Sequence, residues 1–379
     1  MAETATYREL QLHLDKFPIG FPAAKSGVDI ELLEYFFTPE EAKLALCLSL
    51  TNSSVSTIIK RYQQKFLSQP DRESAIKSLN GMFMKGVINR SEKPDGRFTY
   101  SNAMLVIGMF EFNVDHLQKD LMEKLHRYLD EEFGEEFFKS TLPQLRTSPH
   151  LKAVIPEHLI ATYDNMKEFV RKTSDQIQVV NCVCKQGEAL LGNPCKQTDN
   201  IEICIMFGSK SYAERNQARS ISKEECLAIL DMAEEKGLVL QPGNTKDPFC
   251  ICLCCGCCCG VITTAKKFPD PARFFATNYF AEISQEACTG CGICLKRCQM
   301  DALVFDKEQK VVRVDLNRCI GCGLCVTKCP TSAATLVKKK KETVPPLNIA
   351  LLYLSILKGK VGKKKMVLNM LKMLMGKQL

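Results

Sequence analysis

Eight cysteines between Cys288 and Cys329 have the spacing of a metal centre. They read CTGCGICLKRCQ and CIGCGLCVTKCP, two runs of C-x2-C-x2-C-x3-C joined by a short spacer. A cube of iron and sulfide needs thiolates from several directions. A tight C-x2-C-x2-C loop supplies three of them and a more distant cysteine the fourth. Gly290, Gly292, Gly321 and Gly323 suit such loops, because glycine takes backbone angles and close approaches that a Cβ forbids. Pro330 follows the last cysteine, whereas Gln299 stands at the equivalent place after the first run. That departure could change the turn after Cys298, but it removes no thiolate. Zinc sites also use paired C-x2-C spacings, yet they have no need of eight thiols in an internal two-fold repeat.

From about Ala281 to Val337 the sequence resembles the dicluster 4Fe-4S ferredoxin family. The resemblance implies a small pseudo-symmetric α+β unit, with strands over 302–305 and 311–315 and DKEQK as their turn. It also implies two [4Fe-4S] clusters, the fourth cysteine of each run crossing to the other cluster. One cluster would take Cys288, Cys291, Cys294 and Cys329, and the other Cys319, Cys322, Cys325 and Cys298.

Two further groups of cysteines lie upstream. Cys182, Cys184, Cys195 and Cys204 have the spacing C-x-C-x10-C-x8-C. Four thiols make one complete tetrathiolate site, which fits a third iron–sulfur cluster or a structural zinc. Cys250, Cys252, Cys254, Cys255, Cys257, Cys258 and Cys259 fill seven of the ten positions of CICLCCGCCC. No packing argument requires that density. Adjacent cysteines of an extended chain point to opposite sides, so one cluster cannot readily take all of them. Three readings compete: a further iron–sulfur site, shared with the Cys182–Cys204 set; a thiolate site for zinc or a soft metal; and a redox-active thiol or persulfide site. Cys226 falls inside a helical stretch and is expected in the core, where free cysteine is common.

At 379 residues the chain is long enough for two to three domains. An apolar fraction of 45% and a charged fraction of 25% are ordinary for globular protein, but 21 cysteines are not. The stretch MAETATYRELQLHLDKF lacks the apolar core of a signal peptide. A reducing, cytoplasmic setting is therefore expected, in which cysteine clusters mean metal or redox chemistry. No apolar run reaches the ~18–20 residues that span a bilayer. The five histidines form no metal-binding pair, and His116 and His126 read as surface or packing residues.

The expected architecture is α+β and multidomain. Residues 1–105 form a mostly helical, winged-helix-like domain. Thr38, Pro39 and Glu41 open one helix with a capping box. TNSSVSTIIKRYQQKF is a second. Asp71 opens a third, with Ile76, Leu79 and Phe83 on one face. VINRSEKPDGRFTYSN then reads as a hairpin. Lys77, Lys85, Arg90, Lys93 and Arg97 give it a modest basic surface, diluted by Glu73, Glu92 and Asp95. Residues 106–180 are a helical connector, with Leu117, Leu121 and Leu125 at helical spacing. Residues 181–260 are the cysteine-rich metal- or cluster-binding domain, in which Ser222 and Glu225 cap a helix that Gly237 ends. The dicluster ferredoxin domain occupies 281–337. Residues 338–379 form a basic amphipathic tail with one stripe of Ile349, Leu352, Tyr353 and Ile356 and another of Val367, Met370, Leu371 and Leu374. Such a tail can pack on protein or lie on an anionic membrane.

Taken over residues 1–337, the order of parts is similar to a family of anaerobe iron–sulfur proteins that carry a winged-helix-like part, CxC…C…C, a CxCxCCxCCC run and a dicluster ferredoxin. The resemblance implies cofactors more than a substrate. The chain shows no Rossmann glycine fingerprint, P-loop or nucleophile triad. The first expectation is an electron-transfer protein or the electron-handling subunit of an oxidoreductase complex, meeting redox partner proteins. The alternatives are a redox-sensing regulator that binds nucleic acid through the N-terminal domain, and an oxidoreductase with its active site at Cys250–Cys259. The expected place is the cytoplasm, with peripheral contact at the inner face of the membrane through the tail.

Overall fold

A computed structural model describes residues 2–68, 70–140, 142–154 and 161–362. The chain forms two units. The first comprises 1–140, 210–217 and 356–379, and the second 141–209 and 218–355. The stretch expected as a connector, 106–180, thus falls partly in each.

In the first unit the helix Pro39–Ala45 opens as its sequence predicts. The Glu41 amide donates to Thr38 Oγ1, and the Thr38 amide donates to Glu41 Oε2 at 2.8 Å. Helices Val55–Phe66 and Arg72–Met84 follow, capped by Ser54 and Asp71. Leu79 and Phe83 are fully buried. Strands Ile88–Glu92 and Phe98–Asn102 then pair antiparallel, and Ser53–Ser54 adds to the second of them. Residues 210–217 belong to this unit through Arg215. Its guanidinium lies 4.0 Å from the Phe83 ring and 4.1 Å from the Phe112 ring, and donates to the carbonyls of Phe83 and Ile88.

The second unit is built on a five-stranded antiparallel sheet. Its strands stand in the order Ala218–Ser220, Ile177–Asn181, Glu202–Phe207, Cys250–Cys254 and Val239–Pro242. Side chains alternate across a strand, so each contributes to both faces. On one face Ile177, Ile205, Phe207, Ile251, Leu253 and Leu240 pack on the helices Met166–Lys172 and Lys223–Lys236. Cys226 is buried in that core, as expected. The other face carries a transverse row, Val180, Cys204, Cys252 and Gln241, each opposite the next. Ser222 caps its helix through the Glu225 amide, but the expected capping box is not closed. The Glu225 carboxylate is paired with Arg219 instead, at 2.9 Å.

Beyond the sheet, Leu303–Asp306 pairs with Val311–Val314, within a residue of the expected hairpin. A second ladder, Tyr279–Ile283 with Ala334–Lys338, closes the two ends of this segment together. The helix Ile349–Val361 buries Leu352, Ile356 and Leu357. Tyr353 donates to Gln144, and Lys360 donates to the carbonyls of Asp15 and Phe17 and pairs with Glu136 at 2.6 Å. The expected second stripe, Val367 to Leu374, lies outside the described residues.

Candidate metal centres

The cysteine groups are arranged differently from their order in the chain. Strand Cys250–Cys254 ends in the turn Cys255-Gly256-Cys257-Cys258, and Cys195 comes to that turn from the loop after helix Val183–Leu190. The sulfurs of Cys195, Cys255, Cys257 and Cys258 all lie within 4.8 Å of one another. Cys195 is 3.7 Å from Cys255 and 3.9 Å from Cys257, and Cys257 is 3.5 Å from Cys255 and 3.7 Å from Cys258. Four thiolates bound tetrahedrally at about 2.3 Å stand about 3.8 Å apart, so the group fits one zinc or iron ion. A cubane interposes iron and sulfide and spreads its thiolates further. Hydrogen bonds from Cys255 and Cys258 pull the Cys195 thiol far below its ordinary value, while those two are pushed up.

The expected grouping of Cys195 with Cys182, Cys184 and Cys204 is therefore corrected. Cys182 follows the strand Ile177–Asn181 as the N-cap of the next helix, Cys184 stands in that helix's first turn, and the helix carries the chain away before Cys195. Cys182, Cys184 and Cys204 meet the other part of the cysteine run. Cys182, Cys184, Cys204, Cys250, Cys252, Cys254 and Cys259 perturb one another's thiols, and Cys204 stands directly opposite Cys252 on the sheet. Gln241, opposite Cys252 on the sheet, donates to Cys259 Sγ at 3.7 Å.

In the segment 279–338, Cys298, Cys319, Cys322 and Cys325 line one cavity with Ala281, Ile320 and Leu324. Cys298 belongs to the first run and the others to the second. Burial raises all three thiols of Cys298, Cys322 and Cys325, with Cys322 pushed up to about 12, and neighbouring sulfurs add to the rise. Thiols so raised bind as thiolates only where a cation compensates, which suits a metal cluster. Backbone amides aim at the sulfurs: Ala281 donates to Cys319 at 3.4 Å, Ala302 to Cys298 at 3.2 Å and Ala334 to Cys329 at 3.5 Å. Such bonds tune the potential of a cluster. Gly321 is at φ 65°, and a Cβ there would stand 2.1 Å from the Tyr279 carbonyl oxygen, so the loop closes only on glycine. In the first run, Cys294 is raised by burial, and the charges of Cys291 and Cys288 add to the rise.

One contributor was only half legible. Gln299, 4% exposed, accepts from the Gly256 amide at 2.7 Å. Its carbonyl oxygen would lie 2.3 Å from a Cβ on Gly256. The residue after Cys298 is thus seated on the turn that carries Cys255 and Cys257. The absent proline was the signal, but its consequence depends on a contact 43 residues away in sequence.

Residues 287–333 match the family model of a 4Fe-4S dicluster domain. No curated protein and no solved structure matches the chain significantly. The match, with four cysteines around one cavity, makes this an iron–sulfur protein with a ferredoxin-like segment near its C-terminus.

Proposed function

We propose that the protein transfers electrons, by itself or as the electron-handling subunit of an oxidoreductase complex, through two [4Fe-4S] clusters coupled to the metal–thiolate region. The cavity of Cys298, Cys319, Cys322 and Cys325 carries the reading, because it gathers thiols from both runs as a two-cluster domain requires. The second cluster is assigned to Cys288, Cys291, Cys294 and Cys329. The seat of Gln299 on Gly256 supports a short route from the first cluster to the cysteine-rich sheet. When bound, the clusters supply one-electron chemistry. The chain's part is to hold them by thiolate, shield them with Ile320 and Leu324, and direct amides at their sulfurs.

The test is an anaerobic EPR redox titration of the full chain beside Cys322→Ser and Cys291→Ser. Two low-potential transitions from the ferredoxin-like segment are expected, one lost in each variant. A full chain that takes up zinc and no sulfide would sink the reading.

Within this reading the N-terminal unit docks a redox partner protein. The order of its helices and strands supports a winged helix, but Lys85, Arg90 and Arg97, three of the five residues of its expected basic surface, are engaged. Lys85 pairs with Glu41 at 3.1 Å, Arg90 with Glu214 at 2.9 Å and Arg97 with Asp95 at 2.6 Å. Phosphate contacts supply most non-specific affinity for DNA, and neutralised cations supply little. Among the described residues no helix is long and apolar enough to cross a membrane. The first stripe of the tail helix is turned inward at Leu352 and Ile356.

A further inference from the structure

Once the single ion takes Cys195, Cys255, Cys257 and Cys258, and Cys226 is set aside in the apolar core, seven thiols of the cysteine-rich region remain: Cys182, Cys184, Cys204, Cys250, Cys252, Cys254 and Cys259. They share one place. Cys250, Cys252 and Cys254 alternate with Ile251 and Leu253, whose side chains lie in the apolar core. The three thiols therefore stand on the opposite face of the sheet. Cys204 is directly across from Cys252. The Cys182 amide donates to the Ile201 carbonyl at 2.7 Å, which fixes Cys182 at the head of the neighbouring strand. Cys259 joins the group: Gln241 donates to its Sγ at 3.7 Å, and Cys184 and Cys254 perturb its thiol. The sulfurs of Cys182, Cys184, Cys204, Cys252, Cys254 and Cys259 are near enough to perturb one another's thiols, and Cys250 perturbs Cys252.

A tetrahedral ion is satisfied by four thiolates, and so is a cubane. Seven thiols in this part of the sheet exceed both. Gln241 supplies an independent sign: its side chain is fully buried, and its Oε1 has no hydrogen-bond partner. Buried polar atoms are almost always satisfied, so an orphan beside the sulfurs marks a place for a ligand or a water held by one. Packing does not explain the group, because of the seven only Cys182 is packed against the apolar core.

We propose that these seven thiols hold a polynuclear iron–sulfide centre, separate from the single ion. It rests on the iron–sulfur reading of the chain. Iron is favoured over zinc because the centre adjoins a route to the ferredoxin-like segment. Cys259 is three residues from Gly256, which is seated on Gln299 beside Cys298. A redox-silent zinc cluster would have no use for that route.

The experiment is anaerobic reconstitution of the full chain with iron and sulfide, followed by counting both per chain. Two cubanes account for about eight of each. The native chain is expected to exceed that in sulfide as well as iron. Cys204→Ser combined with Cys252→Ser should return both toward eight and keep the ferredoxin EPR signals. Cys195→Ser combined with Cys257→Ser should lose one metal ion and no sulfide. The proposal is overturned by a native sulfide count of eight or less with both ferredoxin signals present, whatever the zinc content. It is equally overturned if the first double variant keeps the surplus sulfide. Should either variant fail to fold, the native sulfide count decides alone. Loss of the ferredoxin signals themselves would instead strike the underlying reading.

Discussion

The thiols of 288–329 stand on loops, Cys294 excepted in the short helix Ile293–Arg297, whereas those of 182–259 stand on or beside a sheet. Each region also has its own apolar core. Fifteen buried residues form one cluster under the sheet, and the ferredoxin-like segment buries Tyr279, Met300, Val312, Ile320, Leu324 and Leu336 among others. Burial of apolar surface is the main force holding a small domain together. The sheet can therefore set its sulfur spacings before any metal arrives. Residues opposite each other on antiparallel strands have Cβ atoms about 4.5–5.5 Å apart, and Cys204 and Cys252 inherit that distance. The loops around Cys291 and Cys322 have no such frame, and their clusters must contribute folding energy directly. One region is a template for its metal, and the other is shaped by it.

The largest effect expected from this contrast follows metal removal. Anaerobic chelation should abolish hydrogen-exchange protection in 279–338 while leaving the strands 177–181, 202–207 and 250–254 protected. Equal loss in both would erase the distinction. Next in size, Cys298→Ser should release about four iron and four sulfide, as one cubane holds. The smaller step is Cys195→Ser, which should cost one ion and no sulfide, with the ferredoxin signals unchanged. A sulfide loss there would mean that the four close sulfurs hold a cluster.

The cysteine-poor first unit offers a reference whose acid sensitivity needs no metal. Burial, then the charge of Lys16, lowers the pKa of His13 from 6.5 to about 4. The unfolded chain then binds a proton between those values that the folded chain refuses. Stability is fully present above about 6.5 and falls as pH drops toward 4, by roughly 3 kcal/mol in total. His13→Gln should flatten that slope in denaturant melts of the first unit, whereas an unchanged slope would assign it elsewhere.

The smallest effects concern the join between the two thiol regions. Gly256→Ala forces a Cβ against the Gln299 carbonyl oxygen and should destabilise the second unit by about 1–3 kcal/mol. Gln299→Ala leaves the Gly256 amide without its acceptor, at a cost of about 1 kcal/mol. Double-variant thermal melts that are simply additive would show that the two residues do not act on one contact.

How much of this was legible follows from where the information sits. The ferredoxin-like cysteines are readable because a loop ligand set is local: three thiols within seven residues declare themselves by spacing. Helix starts at Thr38 and Asp71 were readable for the same reason. The division of the upstream thiols was not, because it depends on strand pairing. Alternation along CICLC separates Cys252 from Ile251, but only the ladder to Glu202–Phe207 brings Cys204 to it. Cys195 looked like a partner of Cys184 by distance along the chain, and a helix between them sends it to Cys257. The ladder Tyr279–Ile283 with Ala334–Lys338 joins segments 55 residues apart in its register. Nothing local announces such a pair.

Arg215 bears on the order in which the molecule can be completed during synthesis. The chain emerges from its N-terminus, and domains generally fold as units while it does so. The first unit lacks the cation between Phe83 and Phe112 until residue 215 has left the ribosome. By then Cys182, Cys184, Cys195 and Cys204 have already appeared, and the run at 250–259 that receives them has not. The nascent protein therefore passes through a stage with four thiols exposed and no finished partner for them. A helper that shields thiolates or delivers iron would find its moment there.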